Sequence, residues 1–297
     1  MDVYKLRPEN AGSQHIDRET FEAQTLRDKP WYRQNGKGED VQYAVCPACD
    51  NPIQIIGLYR LPPRVNNPFG RHTGQSVPDL AELDPEERDN CPYFKPRPRE
   101  KSARRRSLTP VSQKILRTLI EQFDRVVYLL RKQTGIQFSR NLLRKMLETY
   151  RAEKGYLYIG ATLLNVPWIF AYMSNSQSIV GQYLREDSDP DLILAIQDRA
   201  PNAMISDDRQ ICRKTKDFLS LAVCFIHHRE SKDRDDGGLM ESMKMVVSTD
   251  PDRWVHQKVI PFDHQEFQRL VQIHGEKARR QMDLVEMAKE VLGDLLS

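Results

Sequence analysis

Cys46 and Cys49 stand at the spacing that lets one tight turn aim two thiolates at a single metal ion. Zinc takes four such ligands in a tetrahedron, and no second Cys-x-x-Cys occurs, so the other two ligands must arrive singly. His72 and Cys91 are the nearest candidates, both on the loop-rich side of the pair, with His15 as an alternative. Four protein ligands close the site, so the expected cofactor is a structural Zn2+ that would help a small module fold.

The same order of features, a strand, Cys46-Pro47-x-Cys49, a second strand and then His72 in a loop, resembles the N-terminal zinc module of competence-associated CoiA-like proteins. The resemblance spans the first third of the chain. In that family a nuclease-like domain follows, so the resemblance implies work on DNA.

Other chemistry is sparser. There is no Gly-x-Ser-x-Gly, no P-loop and no dinucleotide fingerprint. His227-His228 ends the most apolar strand-like run, where a histidine can serve as base or ligand. Asp191 and Asp198 with Glu241 and Lys244 could form a nuclease site, the carboxylates holding magnesium and the lysine steadying a water. Glu241 and Lys244 are three residues apart, however, so on one strand they face opposite ways. No catalytic residue is assigned; His227, His228, Glu241 and Lys244 are the candidates that remain.

The net charge of +3 hides an uneven distribution. Between Lys95 and Arg106 lie seven bases (Lys95, Arg97, Arg99, Lys101, Arg104, Arg105 and Arg106) against the single acid Glu100. Such a run suits the phosphates of a nucleic acid, with salt-sensitive, sequence-independent affinity. Interleaved prolines and the lack of an apolar period predict an exposed, extended linker over 95–108.

These groups need elements to hold them. Residues 1–40 are polar and turn-rich, which predicts a loose arm with one short helix near Asp17–Arg27. Val41–Val45 and Ile53–Tyr59 predict strands on either side of the Cys pair, inside a zinc-ribbon-like module over 41–94. Asp50-Asn51 supplies residues that tolerate the left-handed turn after it. Asp84-Pro85 predicts a capped helix start.

Residues 109–297 read as a mainly helical α+β body. Helical spacing covers Pro110–Phe123, Asp124–Gln133 and Ser139–Glu153, with Gly135 as a stop. Further helices are expected at Pro167–Leu184, at Asp189–Gln197 and along one long stretch from Asp263 to Leu292. Phe218–Ile226, Ser242–Ser248 and Val255–Ile260 predict a small antiparallel sheet, the first two joined through the charged loop Arg229–Asp236. The first three helices with a hairpin at Tyr156–Ile159 are compatible with a winged helix, in which Arg140, Asn141, Arg144 and Lys145 would face DNA. Three helices packing on one another give the same pattern without DNA, and that plainer reading is preferred.

Five cysteines in 297 residues, and a start without an apolar leader, favour an intracellular, cytoplasmic setting over a disulfide scaffold. The uncharged stretch Gly155–Leu184 is interrupted by Gly160, Asn165 and Pro167, so a buried strand and helix explain it better than a membrane span. Together these features predict a non-enzymatic, zinc-containing protein that binds nucleic acid or acts as an adaptor for a protein partner. A metal-dependent nuclease or other nucleic-acid-processing enzyme is the alternative, and a structural subunit of an assembly the third.

Overall fold

Alternating apolar and polar residues on both sides of the Cys pair do form strands, and they are the centre of the first of two compact units. The computed structural model describes residues 1–233 and 237–296; the expected loop Arg229–Asp236 lies partly outside them, at Arg234, Asp235 and Asp236. Unit 1 comprises Met1–Pro98 with Thr162–Leu164 and Glu230–Met240. Its elements are β1 (Val3–Tyr4), β2 (Gln14–His15), α1 (Arg18–Thr25), β3 (Tyr32–Gln34), β4 (Asp40–Val45), β5 (Pro52–Ile56), β6 (Phe69–His72) and α2 (Pro85–Asp89). The four longer strands form an antiparallel sheet in the order β3-β4-β5-β6, with Ala44 opposite Ile53 and Ile53 opposite His72.

Residues 1–40 are not a loose arm. β1 pairs with β2, and α1 starts at an Asp17 cap that accepts the Thr20 N–H at 2.9 Å. Tyr4 and Phe21 are fully buried, edge to face at 5.2 Å, in the same core as Ala44, Ile53 and Ile55. Two large rings carry enough apolar area to bind a segment whose average composition is polar. α2 begins as expected, with the Asp84 side chain accepting the Glu87 N–H at 3.0 Å and Pro85 in the first turn.

Unit 2 comprises Arg99–Ala161, Asn165–Arg229 and the chain from Glu241 onward. It holds α3 (Pro110–Glu121), α4 (Phe123–Thr134), β7 (Ile136–Gln137), α5 (Arg140–Ala152), α6 (Val166–Tyr172), β8 (Gln177–Ser178), β9 (Tyr183–Leu184) and α7 (Pro190–Arg199). Then come β10 (Ala203–Ile205), β11 (Ile211–Arg213), β12 (Ala222–Lys232, its last three residues counted in unit 1), β13 (Leu239–Asp250, its first two residues counted in unit 1), β14 (Arg253–Pro261), α8 (His264–Gln272) and α9 (Met282–Leu292). The main sheet runs β14-β13-β12-β8, while β7 pairs with β9 and β10 with β11. The chain is thus mixed α and β, with helices and several small antiparallel sheets.

Gly135 ends α4 as its type predicts. Its φ of 75° is the left-handed cap conformation, its N–H bonds the Arg131 carbonyl, and a β-carbon there would come within 2.9 Å of the Ser188 hydroxyl.

Several expected elements are different. The helix at Pro167–Leu184 is only α6, because the polar run from Ser174 to Ser178 turns the chain into β8. Tyr156–Ile159 is no hairpin; a 3-10 turn occupies Gly155–Leu157. The long C-terminal helix is two helices, α8 and α9, divided around Gly275 at a φ of 66°. The sheet is longer than the apolar runs suggest, since β12–β14 continue into charged residues at their ends. No described helix is long and apolar enough to cross a membrane; every residue of α6, inside the uncharged stretch, is buried.

Candidate metal centre

The turn between β4 and β5 places the Cys pair. The Cys46 N–H bonds the Asn51 carbonyl at 2.8 Å, and the Asp50 N–H bonds the Cys46 carbonyl at 3.0 Å. Asp50 takes the left-handed conformation, φ 60°, that the sequence required of one residue here. Its carboxylate pairs with the buried Lys5. His72 comes from the end of β6, opposite Ile53, and Cys91 follows α2 directly, its N–H bonded to the Arg88 carbonyl at 3.0 Å.

These four side chains converge. Cys46, Cys49, His72 and Cys91 are all buried, and one ligand atom from each lies within 4.8 Å of the others. The Cys46 and Cys91 sulfurs are 3.7 Å apart, and the Cys49 sulfur is 3.3 Å from His72 Nε2. A tetrahedral ion with ordinary bond lengths would set sulfur to sulfur at about 3.8 Å and sulfur to nitrogen at about 3.6 Å. The group could therefore hold one metal ion. His15, the alternative, is exposed and lies beside Asp2.

The electrostatics point the same way. Burial opposes ionisation of Cys46, but hydrogen bonds from the Cys49 and Cys91 thiols, with His72 nearby, outweigh it and hold this thiol well below its usual range. Burial, reinforced by that neighbouring thiolate, pushes Cys49 and Cys91 well above theirs. Three enclosed thiols cannot all shed their protons without a cation among them, and a bound divalent ion would supply one.

Asn51, whose side chain is not a usual zinc ligand, braces the candidate centre. It is buried; its amide donates to the Cys49 carbonyl at 3.2 Å and reaches the Cys49 sulfur at 3.5 Å, while its oxygen accepts the Asp84 N–H at 2.8 Å. Its signal in the sequence is only its place two residues after the second cysteine. Second-layer contacts of this kind orient ligands and tune metal affinity.

The basic segment does not form a single exposed tether. Lys95, Arg97 and Arg106 are exposed, Arg99, Lys101 and Arg104 are half-buried, and Arg105 is 4% exposed. Within unit 2, Arg105 donates to the carbonyls of Tyr158 (2.5 Å) and Ala161 (2.8 Å), and Arg104 to those of Glu153 and Lys101. Lys101 donates to Asn175 at 3.3 Å and lies over the Tyr172 ring. A run of cations reads as solvated, but a guanidinium can also donate to backbone carbonyls that an irregular turn leaves unpaired. Arg105→Ala is accordingly expected to destabilise unit 2 by about 2–3 kcal/mol by stranding buried carbonyls, measurable as a lower urea midpoint.

Two catalytic candidates meet and two do not. His228 Nε2 lies 3.0 Å from Glu241 Oε1, and His264 Nε2 lies 2.8 Å from Oε2 of the same carboxylate, whose side chain is fully buried. Asn165 donates to Oε1 at 2.9 Å, and the Tyr158 hydroxyl is 3.3 Å from His228 Nδ1. His227, at a φ of 56° within β12, is exposed and not in this group. A residue at positive φ shifts the alternation of a strand, and so it is the second histidine that turns inward. Lys244 faces the other side of β13, bonded to Gln257 and set over Trp254. Asp191 and Asp198 are exposed on α7, so the four-residue nuclease constellation does not assemble. His264 carried no sequence signal beyond the Asp263 cap in front of it.

α5 is not presented as a bare reading helix. Arg140, Arg144 and Arg151 pair with Asp283, Glu290 and Asp294 at 2.6–2.7 Å, joining α5 to α9 and the turn that follows it. Two of the residues expected to face DNA are thus engaged by carboxylates, while Asn141 and Lys145 are exposed. Comparison of the chain with protein-family models, curated proteins and solved structures finds no match.

Proposed function

We propose that this chain is a zinc-containing, non-enzymatic protein that binds nucleic acid or acts as an adaptor. The observation that carries the reading is the buried Cys46, Cys49, His72 and Cys91 group. Thiolates with one imidazole at the spacing of a single tetrahedral ion favour zinc, and four protein ligands leave no open position for a substrate. Such a centre organises a surface instead of reacting. The segment leaving it supplies that surface: Lys95 and Arg97 follow Cys91 closely and are both exposed.

Fluorescence anisotropy with labelled oligonucleotides tests the reading. Affinity should fall steeply between 50 and 200 mM salt, by about tenfold or more for a few phosphate contacts, and should be lost with the metal. Salt-independent binding, or none, would reject it in favour of an adaptor that meets only protein.

A second reading, a nucleic-acid-processing enzyme, draws on the contact of His228 with Glu241. It also draws on the resemblance of the N-terminal module to CoiA-like proteins. Divalent-metal-dependent cleavage that disappears in Glu241→Ala would favour it.

A further inference from the structure

We infer that Phe94 is a stacking platform for an unpaired base, and that the metal centre of unit 1 therefore takes single-stranded nucleic acid in preference to duplex. The inference rests on the nucleic-acid reading above and narrows it to one strand and one contact.

The starting point is an exposed ring where the surrounding sequence is inside. Pro92 and Tyr93 are buried, but Phe94 is 44% exposed. It is not a floppy side chain on a tether. The N–H groups of Phe94 and Lys95 both bond the Cys91 carbonyl, at 3.0 and 2.9 Å, so a candidate metal ligand anchors the turn that presents the ring. The ring then packs edge to face against another ligand, His72, at 5.6 Å and 74°, and the Arg88 guanidinium lies 5.0 Å from its centroid. Arg88 is itself fixed by two hydrogen bonds to Asp89. The ring is held in place before any ligand arrives, which lowers the ordering cost of binding.

The flanking charge favours a phosphate chain. Lys95 and Arg97 follow the ring by one and three residues and are exposed, and the contact that fixes Arg97 is to the neutral Asn90 amide at 3.2 Å, so its charge is not neutralised there. Pro96 and Pro98 stiffen this stretch, and in an extended proline-rich chain alternate residues are about 6 Å apart. An aromatic ring beside regularly spaced cations is the arrangement by which single strands are bound without sequence preference. A duplex hides its base faces in the stack, so it can use the cations but not the ring.

The test compares labelled single-stranded 20-mers with the matching duplex, on the metal-loaded full chain, by anisotropy. Wild type should bind the single strand tighter. Phe94→Ala should weaken that binding about tenfold or more, leave duplex binding unchanged and retain its metal, while Phe94→Tyr should bind like wild type. Lys95→Gln with Arg97→Gln should weaken both forms and flatten the slope of log affinity against log salt by about 1.4 for the single strand. Equal or tighter binding of duplex, or a Phe94→Ala protein that binds single strands like wild type, overturns the inference while leaving nucleic-acid binding standing. Absence of any binding by metal-loaded wild type removes both, and leaves Phe94 as a contact for protein.

Discussion

Cys46→Ser combined with Cys49→Ser is expected to empty the protein of metal and to unfold unit 1, while unit 2 continues to melt as a cooperative body. Cys46, Cys49 and Cys91 are buried together, and only one of them is favoured as thiolate when no cation is present. Zinc binding by small structural sites contributes about 10–16 kcal/mol, comparable to the whole stability of an ordinary domain. Unit 1 does have a core, with Tyr4, Phe21 and Ile53 fully buried, but the candidate ligands Cys46, Cys49 and Cys91 are part of that same cluster. Losing two of them should therefore cost about 5 kcal/mol or more. Elemental analysis should give one zinc per chain in wild type and none in the variant. Limited proteolysis should cut the variant within residues 1–98 and spare unit 2. Wild-type protein prepared without chelator and carrying no metal, or a variant as protease-resistant as wild type, would refute the centre.

How much of this was open to a reader of the sequence depends on the range of each interaction. The turn that carries Cys46 and Cys49 was legible because its determinants are local: two strands, a Cys-x-x-Cys spacing and one residue able to take a positive φ at Asp50. Helices α3, α4, α5 and α7 were legible from period and caps, Thr109 accepting from Ser112 and Ser139 from Leu142. What failed was long-range. Nothing within residues 1–40 reveals that Tyr4 and Phe21 share a core with β4 and β5. Nothing near Arg105 reveals that carbonyls more than fifty residues away await it. The face reached by His228 depends on a single positive φ at His227, which residue type does not encode. The ion pairs from α5 to the C-terminal region span some 140 residues, so the exposed basic face looked free. Phe94 had no signal at all, because exposure of a phenylalanine is a property of the fold.

Glu241→Gln should make the larger change in unit 2, and should change how that unit responds to acid. Burial alone would raise the Glu241 carboxyl, but hydrogen bonds and charge from His228 and His264 reverse the effect and hold it at about 2, below its ordinary 4.5. A carboxyl depressed in the folded state adds stability that is fully present above pH 4.5 and is lost as pH falls from 4.5 towards 2. A shift of this size corresponds to about 3 kcal/mol, and the side chain is fully buried, so solvent screening takes little from it. Truncation of one member of a buried charged group costs about 3–5 kcal/mol because the rest is left unmatched, and the isosteric amide should fall at the lower end. The readout must follow unit 2 alone, since acid also releases metal from thiolates. Trp168 serves: it is fully buried, stacks on Phe262 at 4.8 Å and lies 5.8 Å from His264. With Trp31 and Trp254 changed to Phe, its emission in urea titrations should show Glu241→Gln less stable by about 3 kcal/mol at pH 7, with the gap closing as pH approaches 2. A gap that stays constant from pH 7 to 3 would mean that the carboxylate charge contributes nothing, and that the group is held together by shape and neutral hydrogen bonds.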